Sequence, residues 1–298
     1  MQAPEVLDGR YQLHGVLGRG GMAEVRDAWD LQLGRPVAVK LLYPSVSGHP
    51  DTRRRFATEA RAAAVVAHPH VVAVHGSGVH RGRHYIVLER LSGQSLADAL
   101  ARTGPLPAAH VRAIMRDVLS ALGAAHARGV LHRDIKPANI LFTARSGVKI
   151  ADFGVAKSVD TPHTLTNRVF GTMAYLPADR IAGRPATPSD DLYALGVVAY
   201  EALTGRRAYP QDNLASLADA IAAGAVTPLS ELRPDLDPAL TGAVERAMSP
   251  DPRWRFGTAD QMLACLDGAT PAPQRTGAVL AGVAAVAVLI VVALFLAL

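Results

Sequence analysis

The segment from His132 to Gly154 carries residues that suit phosphoryl transfer within two short stretches of chain. Asp134 is followed closely by Lys136 and Asn139, and Asp152 begins the sequence Asp-Phe-Gly. A carboxylate can accept a hydroxyl proton, an ammonium group can neutralise phosphate charge, and amide and carboxylate oxygens suit Mg²⁺. A solvated charged loop is the alternative interpretation, but the combined spacing favours a site for phosphate chemistry.

A glycine-rich turn near the N-terminus is the first element that could position a phosphate. Gly18, Gly20 and Gly21 follow the strand-like segment 9–17, and Val25 lies just beyond them. Glycine lets backbone amides approach phosphate oxygens, and an apolar Val25 could cover a planar base. Many hairpins carry glycine for turn geometry alone, so both interpretations stay open on these residues.

A lysine and a glutamate form a second pair that could position a phosphate. Lys40 follows the β-branched run that begins at Val37, and Glu59 lies in a helical pattern over residues 52–66. A strand lysine that faces a cleft could reach two phosphates, and a helical carboxylate could hold it in place. The alternatives are an edge-strand lysine and a surface glutamate paired with Arg55.

The order of the elements predicts an α+β chain with two lobes. Strand patterns, including one at 71–76, dominate residues 11–90, and helical patterns dominate residues 91–267. The short connector 89–93 could pair its backbone groups with a planar base. We expect residues 1–10 to be a tail, the first lobe to be small and mainly antiparallel β with one helix, and the second to be larger and mainly α.

The C-terminal sequence has a different composition. Residues 268–276 have linker composition, and the uncharged apolar run 277–298 is roughly 33 Å long as a helix, enough to cross a hydrocarbon core of about 30 Å. A buried core helix is the alternative. We expect a transmembrane helix at 277–298, with Arg275 on the cytoplasmic side and the C-terminus at or beyond the outer face. Small residues such as Ala278 and Gly282 could pair two such helices in a homodimer.

Charge and cysteine content limit the classes of partner. The net charge of +5 favours acidic partners or an anionic lipid bilayer, but the basic residues are dispersed, so we expect no nucleic acid partner. The single cysteine, Cys265, permits no internal disulfide and is consistent with a reducing compartment. The N-terminus lacks the pattern of a secretory signal peptide.

Taken in order, these motifs resemble those of eukaryotic-type serine/threonine protein kinases of bacteria, close to the membrane-anchored actinobacterial group. The resemblance covers about residues 11–266. It rests on Gly18, Gly20 and Val25, on Val37 to Lys40, on Glu59, on His132 to Asn139, on Asp152 to Gly154, and on Asp191 with Gly196. It implies a two-lobed protein kinase fold, ATP as the phosphoryl donor, Mg²⁺ or alternatively Mn²⁺ as the metal, and protein serine and threonine hydroxyls as acceptors.

The resemblance also implies a role for each site residue. Asp134 would orient and deprotonate the acceptor hydroxyl, and Lys136 would steady the γ phosphate. Lys40, paired with Glu59, would contact the α and β phosphates. The other implied ligands are Asn139 and Asp152 for the metal, and Leu17, Gly18, Gly20, Gly21, Val25, Ala38, Lys40, Glu89, Leu91 and Leu141 for the nucleotide.

A hydroxyl-rich segment at 157–168 contains Thr164 and Thr166. A solvated loop is one interpretation, and an activation loop is the other. Arg133, directly before Asp134, is the arrangement of kinases whose activation loop is ordered by phosphorylation, because the arginine can bind a phosphothreonine. The resemblance therefore implies that Thr164 and Thr166 are regulatory phosphosites.

Three positions depart from the family pattern. Ala23 stands at the third glycine of the loop, and Arg90 occupies a connector position that is often aromatic or apolar. Asp179 stands where a glutamate is expected, so its ion pair with Arg255 would have to span one methylene more. We expect a membrane-anchored kinase that also phosphorylates its own loop. A pseudokinase scaffold at the membrane and a kinase for small molecules are the alternatives.

Overall fold

The computed structural model describes residues 4–144, 147–153 and 173–269. Gly154, Thr164, Thr166 and the apolar run 277–298 lie outside these ranges, so the predictions made for them stay predictions. Among the described residues, no helix combines the length and the apolar composition that a bilayer crossing requires. The described part forms two lobes, which confirms the predicted two-lobed α+β architecture.

Six antiparallel strands form the sheet of the small lobe, in the spatial order β1-β2-β3-β4-β6-β5. The strands are β1 (Val6–Leu7), β2 (Tyr11–Arg19), β3 (Ala23–Asp30), β4 (Arg35–Leu42), β5 (Val74–His80) and β6 (Arg83–Glu89). Strand β1 pairs with β2 through Leu7 and Tyr11. The sheet therefore begins inside residues 1–10, where we had predicted a tail, because Leu7 is an apolar residue that the small-lobe core buries.

Two helices accompany this sheet, where one was predicted. Helix α1 (Pro44–Ser47) is a single turn, and α2 (Pro50–Val65) is the expected long helix. Helix α2 buries Phe56, Ala60 and Glu59, and the first two pack in a cluster with Ile86 of β6. This packing sets the helix against the sheet and brings Glu59 to the inner side of the lobe.

The large lobe is mainly helical. Its helices are α3 (Leu96–Thr103), α4 (Ala108–His126), α5 (Ala178–Ile181), α6 (Pro188–Thr204), α7 (Leu214–Ala223), α8 (Leu229–Leu232), α9 (Pro238–Ala247) and α10 (Ala259–Leu266). A two-stranded sheet, β7 (Ile140–Phe142) and β8 (Val148–Ile150), lies beside them. Helix α6 is buried on nearly every face, and α4, α9 and α10 pack around it.

The segment before β5 joins the two lobes. Strand β5 begins at Val74, three residues later than predicted. The backbone before it pairs instead with β8: Val72 donates its N–H to Ile150 O at 3.0 Å, and Ile150 donates to His70 O at 2.9 Å. The β-branched residues predicted as a strand of the small sheet therefore form a backbone contact with the large lobe.

Candidate active site

Lys40 lies where the two lobes meet. Its ammonium Nζ donates to Glu59 Oε1 from helix α2 and to Asp152 Oδ1 at 2.8 Å from the loop after β8. Burial alone would lower the pKa of Lys40, but the carboxylates of Asp152 and Glu59 outweigh burial and raise it. Lys40 is therefore a fixed cation in the cleft, and it pairs with Glu59, the helical carboxylate that the sequence pattern indicated.

The loop between α4 and β7 holds Asp134 from two sides. Lys136 Nζ lies 2.9 Å from Asp134 Oδ2, and Asn139 Nδ2 donates to the same oxygen at 2.9 Å and to the Asp134 carbonyl at 2.8 Å. The residues from Pro137 to Asn139 form one 3₁₀ turn, which sets the amide beside the carboxylate. Asp134 is buried, so this loop presents one oriented carboxylate with a cation beside it.

The loop after β8 turns sharply at Asp152. Asp152 has a φ of +60°, a left-handed conformation that aspartate tolerates better than most residues. On one side of it, Ala151 donates its N–H to the Asn139 carbonyl at 2.9 Å and accepts from His132 Nε2 at 3.0 Å. On the other, the Phe153 ring lies 4.7 Å from the His132 ring, between centroids. These contacts fix the loop beside Asp134.

Asp191 at the start of α6 supports the loop from below. Its carboxylate accepts backbone N–H groups from His132 at 2.9 Å and Arg133 at 2.8 Å, and a third bond from His126 Nε2 at 2.9 Å. Arg133 has a φ of +64°, so one buried carboxylate stabilises a strained turn directly before Asp134. Asp191 appeared in the sequence only as part of the family pattern, and its partner His126 was not predicted.

The glycine-rich turn joins β2 and β3 above the cleft. Leu17 and Gly18 lie near the end of β2, Gly20 and Gly21 form the turn, and Val25 lies in β3 opposite Gly18. Gly20 donates its N–H to Ala23 O at 2.6 Å, and a Cβ at Gly20 would lie 2.8 Å from that oxygen. Glycine is thus required here by the close approach of the backbone, which the sequence alone left open.

Strand register places the apolar residues and the lysine on one face of the sheet. Val25 faces Lys40 across the β3–β4 pair, and Ala38 faces Leu88 across the β4–β6 pair. Directly opposed residues in antiparallel strands project to the same face, and residues two apart on one strand do too. This face of the sheet is therefore apolar near Val25 and Ala38 and basic at Lys40. Such a surface suits a planar base followed by phosphates.

Two ion pairs that the sequence did not predict join the connector between the lobes to β8 and to β3. Glu89 accepts from Lys149 Nζ at 2.7 and 2.8 Å, and Lys149 faces Leu141 across the β7–β8 pair. Arg90 Nε donates to Asp27 Oδ1 on β3 at 2.6 Å. Leu91 follows in the connector. These residues are distant in sequence and have no local pattern that would pair them.

The oxygen atoms suited to a cation come from Asn139 and Asp152. Because Asn139 directs its Nδ2 to Asp134, the carbonyl Oδ1 is the amide atom that remains for a metal. The Asp152 side chain is 38% exposed, so its carboxylate faces the cleft. Among residues 4–144, 147–153 and 173–269, no cluster of three histidine, cysteine or acidic side chains could hold a metal by itself.

Asp179 forms the predicted ion pair despite its shorter side chain. Arg255 Nη1 lies 3.1 Å from Asp179 Oδ1. Arg184 Nε contacts the other carboxylate oxygen, a contact that the sequence did not predict. Asp134, Tyr175, Leu176, Arg180 and Asp190 line a cavity beside this group. The carboxylate suited to proton transfer therefore opens onto a second cavity on the side of α5.

Known proteins are similar to this chain over most of its length. A family model described as the protein kinase domain matches residues 11–265. The serine/threonine-protein kinase PknA of Mycobacterium tuberculosis is 40% identical over 256 residues, which cover 84% of this chain and 59% of that protein. The serine/threonine-protein kinase PknD of the same species is 39% identical over 273 residues, which cover 90% of this chain and 41% of PknD. The chain thus spans about half the length of these curated relatives.

A solved structure has the same architecture. The crystal structure of the Mycobacterium tuberculosis PknI kinase domain superposes with a TM-score of 0.69 at 28% sequence identity, and the match covers 90% of this chain and 98% of that one. The fold that surrounds the Lys40–Glu59 pair and Asp134 is therefore that of a protein kinase domain. This chain belongs to the protein kinase family.

Proposed function

We propose that the chain is an ATP-dependent serine/threonine protein kinase. The observation that carries the proposal is the pairing of Asp134 with Lys136 and Asn139, in a cleft whose opposite wall holds Lys40. Asp134 accepts the proton of the acceptor hydroxyl, and Lys136 neutralises charge on the transferred phosphoryl group. Lys40, fixed by Glu59, binds the α and β phosphates of the donor.

The nucleotide lies between the glycine-rich turn and β7 in this proposal. Leu17, Val25, Ala38 and Leu141 supply apolar surface for the base, and the backbone of Glu89 and Leu91 supplies its hydrogen bonds. Asn139 and Asp152 would hold Mg²⁺, or Mn²⁺ in its place, and the metal would neutralise phosphate charge.

Two further parts of the proposal concern regulation and location. Thr164 and Thr166 are the proposed sites of autophosphorylation, with Arg133 close enough in sequence to Asp134 to couple such a phosphate to the site. Residues 277–298 are the proposed membrane anchor, with the kinase domain on the cytoplasmic side. A pseudokinase scaffold has no support, because the residues for nucleotide, metal and proton transfer are all present.

Phosphoryl transfer to an inactive Asp134→Asn chain tests the catalytic assignment. We expect wild-type protein, with Mg²⁺ and γ-labelled ATP, to label a tagged Asp134→Asn chain, whereas Asp134→Asn alone labels itself about 10²–10⁴-fold more slowly because it lacks the base. Asp219→Asn, an exposed aspartate on α7, is the matched control and should label at the wild-type rate. Equal labelling by Asp134→Asn and wild type would contradict the proposal, and mapping the labelled residues tests Thr164 and Thr166.

A further inference from the structure

Arg184 occupies an unusual position between two carboxylates. Its Nε contacts Asp179 Oδ2, and its Nη2 lies 2.5 Å from Asp190 Oδ1. Asp190 also accepts the N–H of Thr187 at 2.8 Å, at the start of α6. Arg184 therefore links the short helix α5, which carries Asp179, to the first turn of the central helix α6.

The second donor compensates for the short side chain of Asp179. Arg255 directs Nε to Ser249 O at 2.7 Å and Nη2 to Pro250 O at 2.8 Å, so its Nη1 is the nitrogen directed at Asp179. A carboxylate held through one oxygen can swing about that contact, whereas a guanidinium on each oxygen fixes its plane. Arg184 supplies the second contact.

The local backbone brings Arg184 back to Asp179. Helix α5 ends at Ile181, Gly183 has a φ of +92°, and Arg184 donates its N–H to the Asp179 carbonyl at 3.0 Å. Glycine adopts this left-handed conformation without a steric penalty, so the chain reverses within one turn. Although burial raises the pKa of the Asp179 carboxyl, the bonds from Arg255 and Arg184 outweigh it and lower the pKa.

The group lies beside the cavity that opens on Asp134. Tyr175 and Leu176, which lie just before Pro177 and α5, line that cavity together with Arg180 and Asp190. Tyr175 is also tied to α6, because its hydroxyl donates to Glu201 Oε2 at 2.6 Å. A protein segment that presents its hydroxyl to Asp134 would lie against this wall, whereas ATP lies in the cleft under the small lobe.

We propose that Arg184 is a positioning residue that holds Asp179 and the Tyr175–Leu176 wall against α6, and so sets the affinity for the protein acceptor. This inference rests on the proposed kinase function. It requires no contact between Arg184 and ATP. The missing methylene of Asp179 makes the chain depend on Arg184, and a glutamate at position 179 would remove that dependence.

Steady-state kinetics on the full-length chain, with myelin basic protein as the acceptor probe, test the inference. We expect Arg184→Ala to raise the KM for the acceptor about tenfold, through loss of a charge-assisted bond, with the KM for ATP unchanged. Restoring the acceptor KM in the double variant Arg184→Ala, Asp179→Glu is the decisive result, because one more methylene brings the carboxylate closer to Arg255 Nη1 than the 3.1 Å that Asp179 leaves. Arg116→Ala removes an exposed ion pair with Asp267 elsewhere in the lobe and should change neither KM.

Three outcomes would overturn the inference. An unchanged acceptor KM in Arg184→Ala would exclude a positioning role. Equal increases in both KM values, or no restoration by Asp179→Glu, would show that Arg184 only stabilises the fold. If Arg184→Ala does not fold, Arg184→Gln keeps most of the side-chain length but carries no charge, so it cannot form charge-assisted bonds to both carboxylates, and it should give the same selective increase. Failure of the wild-type chain to phosphorylate any protein would instead contradict the proposed function itself.

Discussion

A single buried carboxylate, that of Asp191, determines the shape of the loop that carries the proposed base. It is 2% exposed and satisfies two backbone N–H groups as well as His126. A buried N–H without an acceptor is costly, and so is a buried carboxylate without donors, so each group depends on the other. The left-handed turn at Arg133 persists because Asp191 holds the backbone N–H groups of His132 and Arg133.

This arrangement predicts a pH dependence of stability. Burial raises the pKa of Asp191, but the bond from His126 and the other donors outweigh burial, so the folded pKa lies below the ordinary value of 3.8. A lowered folded pKa contributes stability above that value, and the contribution is lost as the pH falls below it. We expect Asp191→Asn to cost about 1–3 kcal/mol at pH 7, since it replaces a buried carboxylate that accepts three hydrogen bonds, and to make the melting temperature depend less on pH between 5 and about 3.

Thermal melts over this pH range provide the measurement. Asp219→Asn removes a carboxylate that is exposed on α7, and it should leave both the neutral melting temperature and its fall in acid as in wild type. A melting temperature of Asp191→Asn that falls in acid as steeply as that of wild type would contradict the assignment.

Among the elements, helix α6 has the least freedom because other helices surround it. Gly196 lies where α9 crosses, and a Cβ added there would come within 2.8 Å of the Ala247 Cβ and 3.1 Å of Met248. The glycine therefore sets how closely the two helices approach. This closeness matters for the site, since α6 carries Asp190 and Asp191 in its first turn.

Two glycine-to-alanine substitutions are expected to have opposite effects. Gly196→Ala should destabilise the chain by about 1–3 kcal/mol through overpacking. Gly242→Ala, on the neighbouring helix α9, adds a Cβ that meets no atom within 4 Å, and it should stabilise by roughly 0.5–1 kcal/mol through helix propensity. Urea unfolding would measure both changes in the free energy of unfolding, provided that the wild type and the variants give the same slope against urea concentration. A neutral or stabilising Gly196→Ala would show that α6 and α9 can separate without cost.

On the scale of the whole molecule, the sequence allowed us to predict those features that depend on local residue patterns and on the spacing of motifs. The two lobes, the strand with Lys40, the helix with Glu59 and the loop with Asp134 all follow from periodicity and from residue types at fixed offsets. The ties between Arg90 and Asp27, Lys149 and Glu89, and Arg184 and Asp190 could not be predicted, because each depends on which side chains the tertiary fold brings within reach. Strand β1 was missed for a related reason: two residues are too short to form a pattern.

The membrane anchor proposed at residues 277–298 predicts that the chain associates firmly with membranes. Residues 277–298 contain no charged residue, and an arginine at the centre of a spanning helix costs about 2.5–3.5 kcal/mol. We expect the full-length chain to stay in bacterial membranes washed with sodium carbonate and to be released by detergent. The variant Ala287→Arg, Val288→Arg should appear in the wash, because two central charges outweigh the apolar gain, while its kinase domain keeps its melting temperature. Exchanging Ala215 and Ser216, which are exposed on α7, for arginine adds the same charge outside the run and should leave the chain in the membrane. Recovery of the wild-type chain in the carbonate wash would exclude a membrane-spanning segment at 277–298.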